Sequence, residues 1–390
     1  MDAARGRRIW LVGAAVVAAA LLLVAGARGI AAHTSSDSLW ANAARSLGGW
    51  QEPFDLRVFV RAADDVLDGR DPYVQPGAIT GPADAPYAYP PVLALALTPL
   101  AAVPRHVHDV YLPGVVFSLL LIASIVVSLL VLEVRDWRCH LVALLYPVTV
   151  ETVEYGAIGP ILLLLVALVW RFRDRPVGAG VAAGSAVVLK LFLWPLLVWL
   201  VLTRRLRAAA VGAACALALA LVSWAVIAFR GISDYEHLLR RLVDVEAENS
   251  YSGFAVLRML GLPALPARAV VVAAGIVLLA LAWRAARNEP GAGGDAVSLS
   301  LVIVAALVLT PILWLHYLVL LLVPIALARP RLSALWLVPL VMTIFELMNW
   351  YRGWPRGDAK ALISVAVVVG VVLAAALRRQ RTGTRLAACL

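Results

Sequence analysis

Apolar runs of about bilayer length recur along the chain, separated by short clusters of arginine. A helix needs about 20 mostly apolar residues to cross the hydrocarbon core. Spans are expected from Ile9 to about Ile30 and at about 110–132, 208–229, 269–284, 296–309, 316–328, 332–349 and 361–377. The chain is 63% hydrophobic and 15% charged, with mean hydropathy +0.89. Soluble domains sit nearer half apolar and a quarter charged. Lipid offers no hydrogen bonds, so spanning backbone must satisfy itself within helices or a closed barrel. The runs do not alternate, which argues against a barrel. The expected fold is therefore all-α: a polytopic membrane protein with one domain over 1–390.

Charge sets the expected topology. The basic start M-D-A-A-R-G-R-R resembles that of a signal peptide. The run behind it is long enough to span and lacks a clear small-residue cleavage site, so it reads as an uncleaved helix with its N-terminus inside. Residues 31–109 then form a long outer loop. The formal net charge of +10 resides mostly in Lys and Arg flanking apolar runs, as the positive-inside rule requires, where it attracts anionic lipid rather than nucleic acid. Cys139, Cys215 and Cys389 are scattered and predict no disulfide.

Two regions are irregular. Residues 139–170 hold two apolar runs broken by E-T-V-E-Y-G, and 177–203 form one run carrying Lys190 and Pro195. Basic clusters flank the second region at Arg171/Arg173/Arg175 and Arg204/Arg205/Arg207. With both clusters inside, the chain between them must enter the membrane and return as short helices, which are tolerated only where they line a cavity. The count is then about twelve spans with 378–390 a cytoplasmic basic tail; one tilted helix at 177–203 gives eleven.

The outer face collects the residues fit for chemistry, and the inner loops carry no nucleotide-binding fingerprint. Asp55 opens F-D-L-R-V-F-V-R, with Arg57 and Arg61 nearby, before an amphipathic helix expected over Leu56–Leu67 that suits the membrane interface. A carboxylate there serves equally as an N-cap or as a catalytic base. Tyr87 and Tyr89 lead an apolar stretch too short to span and suit either sugar stacking or headgroup anchoring. Lys190 lies mid-segment, where an ammonium is costly and marks a functional position, fit to meet a phosphate. Thr310–Pro311 marks an expected helix start, with His316 about a turn and a half inside, able to donate to a phosphate or a leaving group or simply to be packed. Glu151, Glu154, Glu346 and Asn249 are further outer polar groups for substrate hydroxyls. No His, Cys or Asp cluster has metal spacing, and no cofactor is expected.

Taken in order, F-D-L-R-V-F-V-R-A-A-D-D-V-L-D-G-R-D-P-Y (54–73), Y-A-Y-P-P (87–91), the run through L-K-L-F-L-W-P ending at Pro195, N-S-Y-S-G (249–253) and T-P-I-L-W-L-H-Y (310–317) resemble glycosyltransferase family 87, actinobacterial enzymes of the GT-C type. The resemblance spans the chain. It implies inverting transfer of a sugar, commonly mannose, from a polyprenyl-phosphate donor to a lipid-anchored glycan such as a phosphatidylinositol mannoside. It also implies an active site on the extracytoplasmic face of the plasma membrane, among membrane lipids. Asp55 matches the family's catalytic aspartate and His316 the histidine of its late motif; Lys190 and Arg61 are expected at the donor phosphate, and Arg57, Tyr87, Tyr89, Glu151, Glu154, Asn249 and Glu346 at the substrates. The chain departs at Phe59, where tyrosine is common, at Tyr317, where a second histidine often sits, and at Ser250, in place of glutamine. An arabinofuranosyltransferase on the same scaffold is the nearest rival. A secondary transporter is a further one, although the inner half lacks midplane charge along a full path.

Overall fold

The computed structural model describes residues 52–79, 86–107, 110–247 and 250–340, with 367, 370 and 371. The fold is helical apart from a two-residue antiparallel bridge. In chain order it comprises α1 (Phe54–Leu67), α2 (Pro91–Ala101), β1 (His106–Val107), β2 (Val110–Tyr111), α3 (Leu112–Val131), α4 (Trp137–Leu144), α5 (Pro147–Tyr155) and α6 (Gly159–Arg171). There follow α7 (Pro176–Leu189), α8 (Pro195–Leu202), α9 (Leu206–Val226), α10 (Ile232–Glu246), α11 (Gly253–Met259), α12 (Ala264–Asn288), α13 (Ala292–Leu309), a 3-10 segment (Leu315–Leu321), α14 (Leu322–Ala328) and α15 (Ala334–Leu337). Proline opens α2, α5, α7 and α8 at the first position, where its missing N–H costs nothing and its fixed φ already suits a helix.

Among the described residues, α3, α9, α12 and α13 are long and apolar enough to cross a membrane. The pair α5 and α6, bent by 119°, makes a fifth if counted as one span. The expected first span and basic tail lie outside the described residues, as do most of 332–349 and 361–377.

The short helices α7 and α8 turn back on each other between the two arginine clusters. Arg205 donates to Asp174 at 2.9 Å and to Asp295 at 2.7 Å, which ties the starts of α7, α9 and α13 together at one end of the molecule. From there α7 and α9 run parallel. A Cβ on Gly180 would meet Ala208 and Val211, and one on Gly184 would meet Gly212 and Cys215, so contacts advance in the same direction along both helices. Hydrogen at these two positions lets the backbones touch. At Lys190 the backbone turns extended (φ −151°, ψ 103°), and after one 3-10 turn α8 comes back over 8 residues to Arg205. Lys190 therefore stands at the far end from the ion cluster.

The same far end receives α1. Gly156 ends α5 at φ +65°, and a Cβ there would lie 2.8 Å from the Leu56 Cβ and 2.9 Å from the Pro53 Cβ. Only glycine allows both the left-handed turn and this approach. Gly159, opening α6, lies against the His316 carbonyl, so the 3-10 segment joins them. The buried body beneath includes Phe59, Phe117, Tyr146, Trp199 and Trp336.

Two sequence expectations are corrected. Asp55 is not an N-cap: α1 starts one residue earlier, behind Pro53, with no side-chain cap bond. Its carboxylate keeps the favourable dipole of the first turn but stays available to the interior. Thr310–Pro311 does not open a helix. Thr310 closes α13 instead, its Oγ1 donating to the Ile312 carbonyl at 2.7 Å, and residues 311–314 are non-helical before the 3-10 segment begins.

Candidate active site

A cavity of about 790 Å3 opens at the end opposite the ion cluster. Its wall is drawn from separate elements: Asp55 from α1, Tyr89 from the loop before α2, Glu151 from α5, Lys190 from the break after α7, and His316 and Tyr317 from the 3-10 segment. The long link 311–314 and the α10 face complete it.

Lys190 is held by aromatic rings. Its Nζ donates to the Tyr89 hydroxyl at 2.5 Å and lies 3.9 Å from the centre of that ring and 4.8 Å from that of Tyr317. Two electron-rich faces stabilise an ammonium without neutralising it, so its charge remains free to act on a ligand. Phe192 stacks on Tyr317 at 5.1 Å, and Phe59 meets Tyr89 edge-on at 5.0 Å, which fixes both rings. Phe59 is thus fully buried support for Tyr89. His316 is buried beside Tyr317, ring centres 4.7 Å apart, and beside Tyr155 at 6.4 Å.

Asp55 is partly exposed, to this cavity. Burial pushes its carboxyl up to about 6, against the pull of the Lys190 ammonium, which acts to lower it. Desolvation disfavours the anion and a nearby cation favours it; here desolvation wins. The result is a carboxylate that is ionised at neutral pH yet basic enough to take a proton. A base and a cation facing one cavity can deprotonate a hydroxyl and stabilise a departing anion.

The structure brings together Asp55, Tyr89, Glu151, Lys190 and His316 among the expected residues. It does not bring the others in. Tyr87 is buried behind the wall, its hydroxyl donating to the Pro90 carbonyl at 2.7 Å and accepting from the Ala94 amide at 2.9 Å. Arg57 rests over the Phe54 ring at 5.4 Å, Arg61 is exposed, and Glu154 is not part of the lining. Asn249 and Glu346 lie outside the described residues. Sequence reading missed Tyr155, Trp194 and Glu246 in the wall; of these only Glu246 left a signal, as the last member of a helical stripe. Among the described residues, no three His, Cys, Asp or Glu side chains are grouped to hold a metal ion.

Two curated relatives are each named polyprenol-phosphate-mannose-dependent alpha-(1-2)-phosphatidylinositol mannoside mannosyltransferase. The one from Mycolicibacterium smegmatis is 27% identical over 340 residues, covering 78% of this chain and 77% of its own. That from Mycobacterium tuberculosis is 27% identical over 363 residues, covering 85% and 80%. No solved structure matches. The sequence profile of glycosyltransferase family 87 matches residues 87–311, more than half of the chain, and the protein belongs to that family.

Proposed function

We propose that the protein is a membrane mannosyltransferase. It moves mannose from a polyprenyl-phosphate donor to a lipid-linked glycan, such as a phosphatidylinositol mannoside, with inversion. The observation that carries this reading is the placement of Asp55 and Lys190 on one cavity. The names of the two relatives favour mannose over arabinose and a phosphatidylinositol mannoside as acceptor.

Asp55 takes the proton of the acceptor hydroxyl as that oxygen attacks the anomeric carbon. The new C–O bond forms while the bond from that carbon to the phosphate oxygen breaks, and the electron pair leaves on polyprenyl phosphate. That leaving group needs charge stabilisation more than a proton, which Lys190 supplies and His316 assists by hydrogen bonding. Arg61, exposed on α1, falls outside this role. Both substrates are tethered in one membrane, which raises their effective concentration. The apolar wall at Leu191, Trp194, Leu309 and Ile312 suits the prenyl chain.

Sidedness follows from charge. The Arg171–Arg175 and Arg204–Arg207 clusters gather at the end remote from the cavity, and the positive-inside rule places that end in the cytoplasm. The cavity then faces outward in the plasma membrane, with α1 and α2 on the outer side. About twelve crossings in one domain, counting the short helices, satisfy this arrangement. The test is a parallel incubation of purified protein with labelled polyprenyl-phosphate mannose and polyprenyl-phosphate arabinose. Label reaching lipid acceptors from mannose alone supports the reading; transfer of arabinose alone overturns the sugar assignment.

A further inference from the structure

Glu246 takes no part in the chemistry above. It ends α10, where Tyr235, Leu239, Leu242 and Val243 recur at spacings of three and four, and Glu246 continues that stripe. All five line the cavity, while Glu236, His237, Arg240 and Asp244 occupy the exposed side of the helix. An interfacial helix thus turns its apolar face onto the cavity and ends it with a single carboxylate.

That carboxylate is only 6% exposed, and its Oε2 has no hydrogen-bond partner among the described residues. The described ion pairs all lie elsewhere. Burial alone raises its carboxyl above the ordinary range, with no contribution from Asp55 or Lys190. Glu246 enters the wall from α10, and the reacting pair from α1 and the break after α7. Burying an acid without donors is costly, and the cost is relieved by a ligand that brings them. A phosphate is repelled by a carboxylate, and a prenyl chain has nothing to donate. Sugar hydroxyls donate readily.

We propose that Glu246 binds a hydroxyl of the acceptor glycan, at the part of the cavity wall that α10 supplies, and so selects which acceptor hydroxyl arrives at Asp55. This deepens the mannosyltransferase reading and rests on it for the identity of the acceptor.

The experiment compares wild type with Glu246→Leu and Glu246→Gln, using full-length protein, polyprenyl-phosphate mannose and a phosphatidylinositol mannoside. Equilibrium binding of each lipid is measured separately from turnover. Expected are a loss of about tenfold or more in mannoside affinity for Glu246→Leu, as for a lost charged hydrogen bond, and a smaller loss for Glu246→Gln. Donor affinity is unchanged, and the ligand-free thermal stability of Glu246→Leu equals or exceeds wild type, since an unsatisfied buried acid is gone. A purely structural role predicts the opposite, a fall in stability with affinity retained. Unchanged mannoside affinity, a loss confined to the donor, or a wild-type protein that binds no mannoside each overturns the proposal. Failure of mannosyl transfer with mannoside affinity still dependent on Glu246 counts against the donor assignment alone.

Discussion

Lys190 and Tyr89 are 101 positions apart, yet the lysine ammonium sits 3.9 Å from the centre of the tyrosine ring and donates to its hydroxyl at 2.5 Å. The contact joins the loop before α2 to the break between α7 and α8. It presents the ammonium to the cavity that Asp55 also faces.

Replacing that cation removes the group proposed to stabilise the departing phosphate. Lys190→Met is expected to lower kcat about 10²–10³-fold, the range for deleting one preorganised electrostatic donor. Tyr89→Phe, which keeps the ring face and loses one hydrogen bond, is expected to cost far less. Steady-state turnover on the two variants checks the ordering. Equal losses would mean that the ammonium acts only as a structural tether.

The pH profile follows from Asp55. A base with a carboxyl near 6 must be ionised to act, so kcat/KM falls about tenfold per pH unit below that value, and it falls again on the alkaline side as the buried Lys190 ammonium loses its proton. The stability consequence has the opposite sign to that of a salt-bridged acid. Because the folded state holds the carboxyl above its ordinary value of 3.8, the ionised group destabilises the fold at pH 7, and the penalty disappears as pH falls to that ordinary value. Asp55→Asn is expected to melt at or above the wild-type temperature at pH 7.5, with the difference gone at pH 4, by thermal unfolding in detergent.

Tyr87 was legible as an aromatic at the outer surface but not as a strut. Its hydroxyl holds both the Pro90 carbonyl and the Ala94 amide. Tyr87→Phe leaves the Ala94 amide unpaired, while the Pro90 carbonyl keeps the Leu93 N–H at 3.3 Å, and is expected to cost about 1–3 kcal/mol of stability. Turnover per folded molecule should stay near wild type. A selective loss of activity at full stability would return Tyr87 to the substrate.

Gly156→Val tests how the base is placed. The variant strains a residue at φ +65° and drives its side chain into Pro53 and Leu56, which flank Asp55. Both melting temperature and kcat are expected to fall, with donor affinity less affected. A variant of normal activity would show that Asp55 does not depend on this turn.

Much of this was written in the chain. Apolar length and arginine clusters gave the helical membrane class, and the two basic clusters around 177–203 required a segment that enters and returns, which is the α7–Lys190–α8 hairpin. Asp55, Lys190 and His316 stood out because charge and imidazole are costly in an apolar setting. Periodicity does not encode what meets across the fold. Tyr89 and Glu151 reach the cavity while Tyr87 and Glu154 do not, a distinction set by the packing of α1 and α2 against the bundle. The helix start expected at Thr310–Pro311 failed because Thr310 instead satisfies the C-terminal end of α13. Glu246 was hidden by an outwardly polar helix, whose apolar face gave no sign of whether it covers lipid, core or cavity.

The most direct test of the account is transfer of labelled mannose from polyprenyl-phosphate mannose to a phosphatidylinositol mannoside by wild type and by Asp55→Asn, both purified and both shown to be folded. The account predicts product from the wild type and a rate about 10²–10⁴-fold lower from the variant, the contribution of a general base. Equal rates from the two proteins at neutral pH would contradict it.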